Sequence, residues 1–256
     1  MRKLIFLTIL IIIFSLGIAA VLAVNNRGAA PVAYWKFDEG YGSTAFDAAG
    51  SNDGTITNAL WRNEPDCHDG KCLYFDGSGD YVDWGDDNDL DMGTSDFSIS
   101  AWFRTSYTGG SAQTIVAKVT GGGTVGYYFY VNSSGILSFY LRGSGDSTNY
   151  YVTNNTDVRD GKWHHVVAVA DRDSVANSEM YLDGRNDTAS ATMTANSLDN
   201  GLGFRIGSNS GNGEVFNGLI DDVRIYNYAR TASQIKADYL AGAARGTTIK
   251  VAPTTA

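Results

Sequence analysis

The chain is poor in cysteine, proline and histidine, with 2, 3 and 3 of them among its 256 residues. These counts exclude a collagen-like chain, a disulfide-dense small scaffold and a zinc site built mainly from cysteine and histidine. Basic residues are also few, 19 against 28 acidic ones, which gives a formal net charge of -9. Because such a field repels polyanions, we expect no nucleic-acid partner.

What is abundant is apolar and turn-forming sequence, with 43% hydrophobic residues and 30 glycines. Such a composition can bury the core of one domain. From position 32 to 228, short apolar or alternating runs are separated by Gly, Asn, Asp and Ser clusters, which predicts an all-β antiparallel sandwich or barrel. The predicted strands are 32–37, 73–75, 81–84, 97–104, 114–118, 127–131, 136–141, 150–153, 163–170, 179–182, 204–206 and 219–226. One short helix follows, capped by Thr231 or Ser233 and ending near Gly242.

The N-terminus predicts export. Arg2 and Lys3 precede an uncharged run over residues 4–24, which is either a secretory signal peptide or a hydrophobic N-terminal helix retained as a membrane anchor. Both alternatives place the remainder outside the cell, secreted or on the cell surface. We divide the chain into the signal or anchor (1–30), a β domain (31–242) and a flexible tail (243–256).

Export bears on two kinds of covalent modification. Disulfides are permitted outside the cell, and Cys67 and Cys72 lie close enough in sequence for a local disulfide; two free thiols are the alternative. Asn132, Asn154 and Asn186 begin Asn-x-Ser/Thr triplets beside turn residues, which makes them glycosylation candidates in a host with the machinery.

A series of sequence blocks in a fixed order closely resembles the laminin-G-like, concanavalin A-like jelly-roll family. The blocks are AYWKFDEG at 33–40, LYFDG at 73–77, FSISAWF at 97–103, KWHHVV at 162–167, MYLDG at 180–184, FRIGS at 204–208 and NGLIDDVRIY at 217–226. The resemblance implies a two-sheet antiparallel jelly-roll sandwich. It also implies a binding module that recognises a glycan or a partner protein.

Catalysis is not expected. Glycosidases need two carboxylates at a set separation, and the acidic residues here concentrate in loops, so we expect no enzyme. His164 and His165 lie within an apolar strand and are assigned to packing and hydrogen bonding. A polysaccharide-active enzyme is one alternative function. A pilin-like filament subunit, self-assembled through a retained N-terminal helix, is the other.

Calcium is the expected cofactor, because it accepts loop carboxylates and carbonyls. The predicted ligands are Asp38, Asp47, Asp221 and Asp222, on the assumption that the first and last strands pair. The resemblance supports a structural calcium, since members of the wider superfamily often carry one. A second acidic cluster, residues 86–91, is interpreted as a solvated loop.

Aromatic side chains are the candidates for a sugar ligand. Trp102 falls on the wet side of an alternating strand, and the many tyrosines between 107 and 151 are too numerous for one core. Adjacent tyrosines in a strand must point to opposite faces. The candidate ligand-binding residues are Trp102, Tyr107, Tyr128 and Tyr150.

Overall fold

The structure, a computed structural model, describes residues 28–246. Numbered along the chain, its strands are β1 (Ala33–Trp35), β2 (Thr44–Ala45), β3 (Gly54–Thr57), β4 (Leu60–Asn63), β5 (Lys71–Asp76), β6 (Tyr81–Asp83), β7 (Phe97–Arg104), β8 (Gln113–Ala117), β9 (Gly126–Val131), β10 (Ile136–Arg142), β11 (Tyr150–Asp157), β12 (Trp163–Ala170), β13 (Glu179–Leu182), β14 (Arg185–Asn186), β15 (Thr188–Ala191), β16 (Arg205–Ile206) and β17 (Asn217–Tyr226). One α-helix, α1 (Ala232–Gly246), follows them within the described range.

The strands form two antiparallel sheets, which confirms the predicted sandwich. The first sheet has the order β14-β13-β12-β7-β17-β5-β4, with β1 also paired to β17. The second has the order β15-β11-β10-β9-β8-β16-β6-β3-β2. One large core contains buried apolar side chains from both sheets, as in Ile99 of β7 and Phe139 of β10.

Alternation in β7 shows how the sequence divides core from outer face. Phe97, Ile99 and Phe103 are buried in the main core. Ser98 and Trp102 belong to the other parity and therefore lie on the outer face of the first sheet. This outer face is not open to solvent, because α1 packs across it.

Helix α1 begins with a capping box. The Thr231 hydroxyl accepts a hydrogen bond from the Gln234 backbone N–H, and the Gln234 side chain accepts one from the Thr231 N–H at 2.9 Å. Ile235 then packs on β12 and β13 in a small cluster with Val167, Val169 and Tyr181. The helix is held to the sheet by this apolar contact.

The predicted end of the helix near Gly242 is wrong, because α1 continues to Gly246. Gly242 lies inside the helix and faces Trp102, where a Cβ atom would come within 2.7 Å of the indole ring. The glycine therefore permits close approach of helix and sheet. The predicted tail therefore does not begin at 243, and its residues after 246 lie outside the described residues.

Strand β17 contains a β-bulge at the acidic pair. Asp221 pairs with Trp102 and Arg224 with Ser100, so two residues of β17, Asp222 and Val223, oppose a single residue of β7. Asp222 takes a left-handed backbone conformation, with φ 52°. Simple alternation predicts that one of the two acids leaves the core, and the bulge instead places both outside it.

The predicted disulfide is present between Cys67 and Cys72, and it ties the loop before β5 to the second residue of that strand. The predicted N-terminal hydrophobic helix lies outside the described residues. Within the described range, no helix has the length and apolar character needed to cross a membrane.

Candidate functional site

Four tyrosines share the outer face of the second sheet, and we call this surface the tyrosine face: Tyr128, Tyr130, Tyr140 and Tyr151. They come from the adjacent strands β9, β10 and β11, where Tyr140 pairs with both Tyr128 and Tyr151. The rings of Tyr128 and Tyr130 are stacked at a centroid distance of 4.1 Å, and those of Tyr140 and Tyr151 meet edge to face at 5.6 Å. Tyr130 and Tyr151 are the half-buried members that solvent reaches.

A row of hydroxyl side chains runs beside the rings, across five strands. The pairing register aligns Thr114, Tyr130, Ser138, Thr153 and Ser190. The hydroxyls of Thr153 and Ser190 lie 3.0 Å apart at the solvent-exposed end of this row. The surface therefore offers ring faces and hydroxyl groups side by side.

Amide and guanidinium groups form the rim next to Tyr151. The Asn149 side chain donates to the Tyr151 hydroxyl at 3.3 Å and accepts from the Arg142 guanidinium at 2.8 Å. Arg142 also donates to the backbone carbonyl of Asp146 at 2.8 Å. These contacts fix the orientation of the Arg142 and Asn149 side chains beside Tyr151.

Tyr128, Tyr130 and Tyr140 remain protonated near neutral pH. Burial raises the pKa of Tyr130 to about 12, and it also raises the pKa values of Tyr128 and Tyr140. A neutral phenol both donates and accepts hydrogen bonds. The tyrosine face can thus bind a neutral polar ligand by stacking and hydrogen bonding.

Only one of the four predicted ligand-binding residues belongs to this face. Tyr128 points outward as predicted, whereas Tyr150 packs against the main core and its neighbour Tyr151 lies outside. The alternation of β11 predicts this orientation, because the apolar Val152, two residues after Tyr150, lies on the same face of the strand. Tyr107 lies elsewhere, in the loop after β7, half-buried against Gly109.

Trp102 is not the exposed aromatic that alternation predicts, since it is 4% exposed. His68, from the disulfide loop, stacks on its indole ring at 3.5 Å, and Tyr239 of α1 stacks at 5.9 Å. Burial lowers the pKa of His68 to about 4 and that of the neighbouring His165 to about 3. The whole stack forms part of the contact between α1 and the first sheet.

A cavity lies between the first sheet, α1 and residues 28–31, and we call it the helix-side pocket. Its volume is about 420 Å³, and its lining includes Tyr34, Lys36, Asp221, Asp222 and Arg224. The Tyr34 hydroxyl donates to Asp222, and the Arg224 guanidinium donates to Tyr34 at 2.6 Å and to Asp222 at 3.2 Å. This network joins the first strand to the last.

Asp221 lies at the buried end of the pocket. Burial, followed by the neighbouring Asp222 carboxylate, raises its pKa well above the usual range. Its Oδ2 atom accepts a hydrogen bond from the Asp69 backbone N–H at 3.2 Å. Its Oδ1 atom is buried without a hydrogen-bond partner among the described residues.

The structure does not assemble the four predicted calcium ligands into one site. Asp47 accepts hydrogen bonds from the backbone N–H groups of Tyr34, Ala49 and Asn52, so both of its oxygens are occupied. Asp38 lines the pocket with Asp221 and Asp222 but accepts from the Lys71 N–H at 3.1 Å. Across residues 28–246, no group of three or more acidic, histidine or cysteine side chains is arranged to hold a metal. Calcium binding stays a prediction, which a calcium titration of EDTA-treated protein tests.

The three glycosylation candidates differ in exposure. Asn186 is exposed and Asn132 is half-buried. Asn154 is 2% exposed; its amide oxygen accepts from the Leu137 N–H at 2.8 Å and its nitrogen donates to Asp187 at 3.0 Å. Because a glycan would have to replace these contacts, we expect Asn154 to stay unmodified, and glycosylation of all three residues stays a prediction.

Comparison with known proteins identifies a family. The sequence profile Laminin_G_3, described as the Concanavalin A-like lectin/glucanases superfamily, matches residues 76–236. Over 148 residues, 55% of this chain, the sequence is 31% identical to adhesion G-protein coupled receptor V1 of Danio rerio. The match spans 2% of that protein.

Solved structures share the fold at low sequence identity. The binding domain of Paraclostridial Mosquitocidal Protein 1 superposes with a TM-score of 0.64 at 13% identity, covering 82% of this chain and 52% of that one. The botulinum neurotoxin serotype D ligand-binding domain in complex with N-acetylneuraminic acid superposes with a TM-score of 0.63 at 12% identity, covering 86% of this chain and 52% of that one. Trypanosoma rangeli sialidase in complex with sialic acid superposes with a TM-score of 0.57 at 18% identity, covering 84% of this chain and 33% of that one. The chain thus spans about half or less of each of these structures.

Proposed function

The chain belongs to the concanavalin A-like lectin/glucanases superfamily, and from this premise we propose that it is an exported, non-catalytic module that binds a glycan. The observation that carries the proposal is the tyrosine face. Tyr130 and Tyr151 offer partly exposed rings, and Thr153, Asn149 and Arg142 supply hydrogen-bonding groups beside them. Stacking on aromatic rings with a few fixed polar groups is how proteins bind neutral, partly apolar ligands such as sugars.

Similar proteins support the class of ligand. The botulinum neurotoxin domain named above was solved with N-acetylneuraminic acid, and a serotype C relative is described as entering cells through two ganglioside molecules. The uncharged run at residues 4–24 supports export, which would bring the module to extracellular glycans. A surface protein that carries such a glycan is the corresponding partner.

Binding without hydrolysis is part of the proposal. Glycosidases place two carboxylates about 5 to 10 Å apart on either side of the scissile bond. Strands β9 and β10, which carry three of the four tyrosines, contain no acidic residue, and the acids nearest the face are Glu214 beside Tyr128 and Asp146 at the rim. Asp146 is already engaged by the Asn196 amide and the Gly143 N–H, so we propose that these acids serve the fold and that a sugar held on the rings is bound without cleavage.

A glycan array probed with the full chain tests the proposal, followed by calorimetric titration of the strongest ligand. We expect Tyr130→Ala and Tyr151→Ala each to weaken binding at least about tenfold, equivalent to about 1.4 kcal/mol. Tyr151→Phe keeps the ring and should retain most of the affinity. Tyr41→Ala, at an 80% exposed tyrosine outside this face, is the control. Binding that survives both alanine substitutions would contradict the site, and hydrolysis of the bound glycan would contradict the absence of catalysis.

A further inference from the structure

The helix-side pocket contains a buried acceptor that no described residue satisfies. Asp221 is 1% exposed, lines the pocket, and leaves its Oδ1 atom without a donor. A buried carboxyl oxygen without a partner is costly to the folded state, and an adjacent ammonium group would favour the ionised form that the burial of Asp221 disfavours through its raised pKa. A ligand in the pocket that carries N–H donors would supply the missing hydrogen bond.

The other acidic groups around the pocket already have partners. Asp222 contacts Tyr34 and Arg224. Asp238 is bound by Arg230, and Asp69 by Arg245 at 3.1 Å. These pairs balance each other's charges, and Asp38, an exposed group of the lining, accepts from the Lys71 backbone N–H. Asp221 is therefore the buried carboxyl group of the pocket that retains an oxygen without a donor.

Lys36 is the complementary unpaired group. Its side chain lines the same pocket, and its ammonium lies 5.6 Å from the centroid of the Tyr34 ring. Among residues 28–246 it makes no hydrogen bond or salt bridge with a side chain or backbone group. The pocket therefore presents one unpaired acceptor at its buried end and one unpaired cation towards solvent.

We infer that the helix-side pocket binds a small zwitterion, with its ammonium group on Asp221 and its anionic group beside Lys36. The volume of about 420 Å³ accommodates a molecule of the size of an amino acid. Tyr34 and Trp102 in the lining add aromatic surface for the short carbon chain between the two charges. This site is on the opposite side of the sandwich from the tyrosine face and is independent of the proposed glycan binding.

The test is calorimetric titration of the full chain with glycine, 4-aminobutyrate and 6-aminohexanoate, which differ in the separation of their charges. Butylamine and butyrate serve as probes with one charge each. We expect at least one zwitterion to bind about tenfold more tightly than either single-charge probe. Asp221→Asn should abolish the binding of every amine, and Lys36→Met should abolish the preference for zwitterions over butylamine.

Lys162→Met is the matched control, because Lys162 is exposed and pairs with Asp160 away from the pocket. Thermal melting of each variant shows whether it is folded, and Lys36→Met tests the pocket even if Asp221→Asn does not fold, since Lys36 is exposed. The inference is overturned if no zwitterion binds below about 10 mM or if both variants bind as the wild type does. Calcium binding that depends on Asp221, with no binding of amines, also overturns it.

Discussion

Replacing Ile235 with alanine should weaken the packing of α1 on the first sheet and lower the free energy of unfolding. Ile235 is 0% exposed, and it packs with Val167, Val169 and Tyr181. Truncation of a buried isoleucine to alanine costs about 2 to 5 kcal/mol, and the lower half of this range applies where the surroundings can settle into the cavity. Because a helix on a sheet surface can settle more easily than a strand in the core, we expect about 2 to 3 kcal/mol.

Urea and thermal unfolding, followed by tryptophan fluorescence, measure this loss. For a domain of this size, each kcal/mol lowers Tm by about 2 to 4 °C, so the expected decrease is about 4 to 12 °C. Leu240→Ala removes an apolar side chain from the same helix at a 54% exposed position and should change stability by less than about 0.5 kcal/mol. A loss of unfolding free energy in Ile235→Ala no larger than that in Leu240→Ala would refute the role of α1 in the cooperative fold.

Three further predictions concern other buried residues described above. His68 and His165, whose pKa values are lowered to about 4 and about 3, bind protons more readily in the unfolded chain, where the pKa is about 6.5. The contribution of these two histidines to the free energy of unfolding should therefore fall between pH 7 and pH 5, whereas His164 and Asp221, whose pKa values are raised, contribute in the opposite sense. We expect the two histidines to dominate, and urea titrations showing no decrease would contradict this balance. Gly242→Ala should lower Tm despite alanine's higher helix propensity, because its Cβ would meet Trp102 at 2.7 Å; a higher Tm would show that the helix can move away. Mass spectrometry of protein exported from a glycosylating host should find Asn154 unmodified, and a glycan there would contradict its burial.

Strands with alternating apolar residues, such as β7, or with apolar residues at both parities, such as β12, were predictable from the sequence, and polar edge strands were not. The bounds 97–104 and 163–170 match β7 and β12. By contrast, β4 at the edge of the first sheet went unpredicted because its four residues are exposed or half-buried and show no alternation of apolar side chains. The local pattern of apolar residues indicates a strand only where at least one face of that strand is buried.

The site was less predictable, because it depends on which elements cover which face. Alternation correctly sends Trp102 out of the main core, but only the packing of α1 and the disulfide loop decides that it is buried. Alternation alone predicts that one of Tyr150 and Tyr151 points outward but does not say which. The apolar Val152, on the same face as Tyr150, identifies Tyr151 as the outward residue. The positions of both Asp221 and Asp222 outside the core required the bulge, which has no signal in the sequence pattern.

The β-bulge makes Asp222 an added residue within an otherwise regular strand. If Asp222 is omitted, Ile220, Asp221, Val223 and Arg224 alternate strictly between core and outer face. Deleting Asp222 would thus leave every remaining core side chain inside, while the halves of the strand that pair with β5 and β1 would approach each other by about 3.4 Å. Length variants at position 222 should accordingly alter how the first strand meets the last, and leave the interior of the sandwich unchanged.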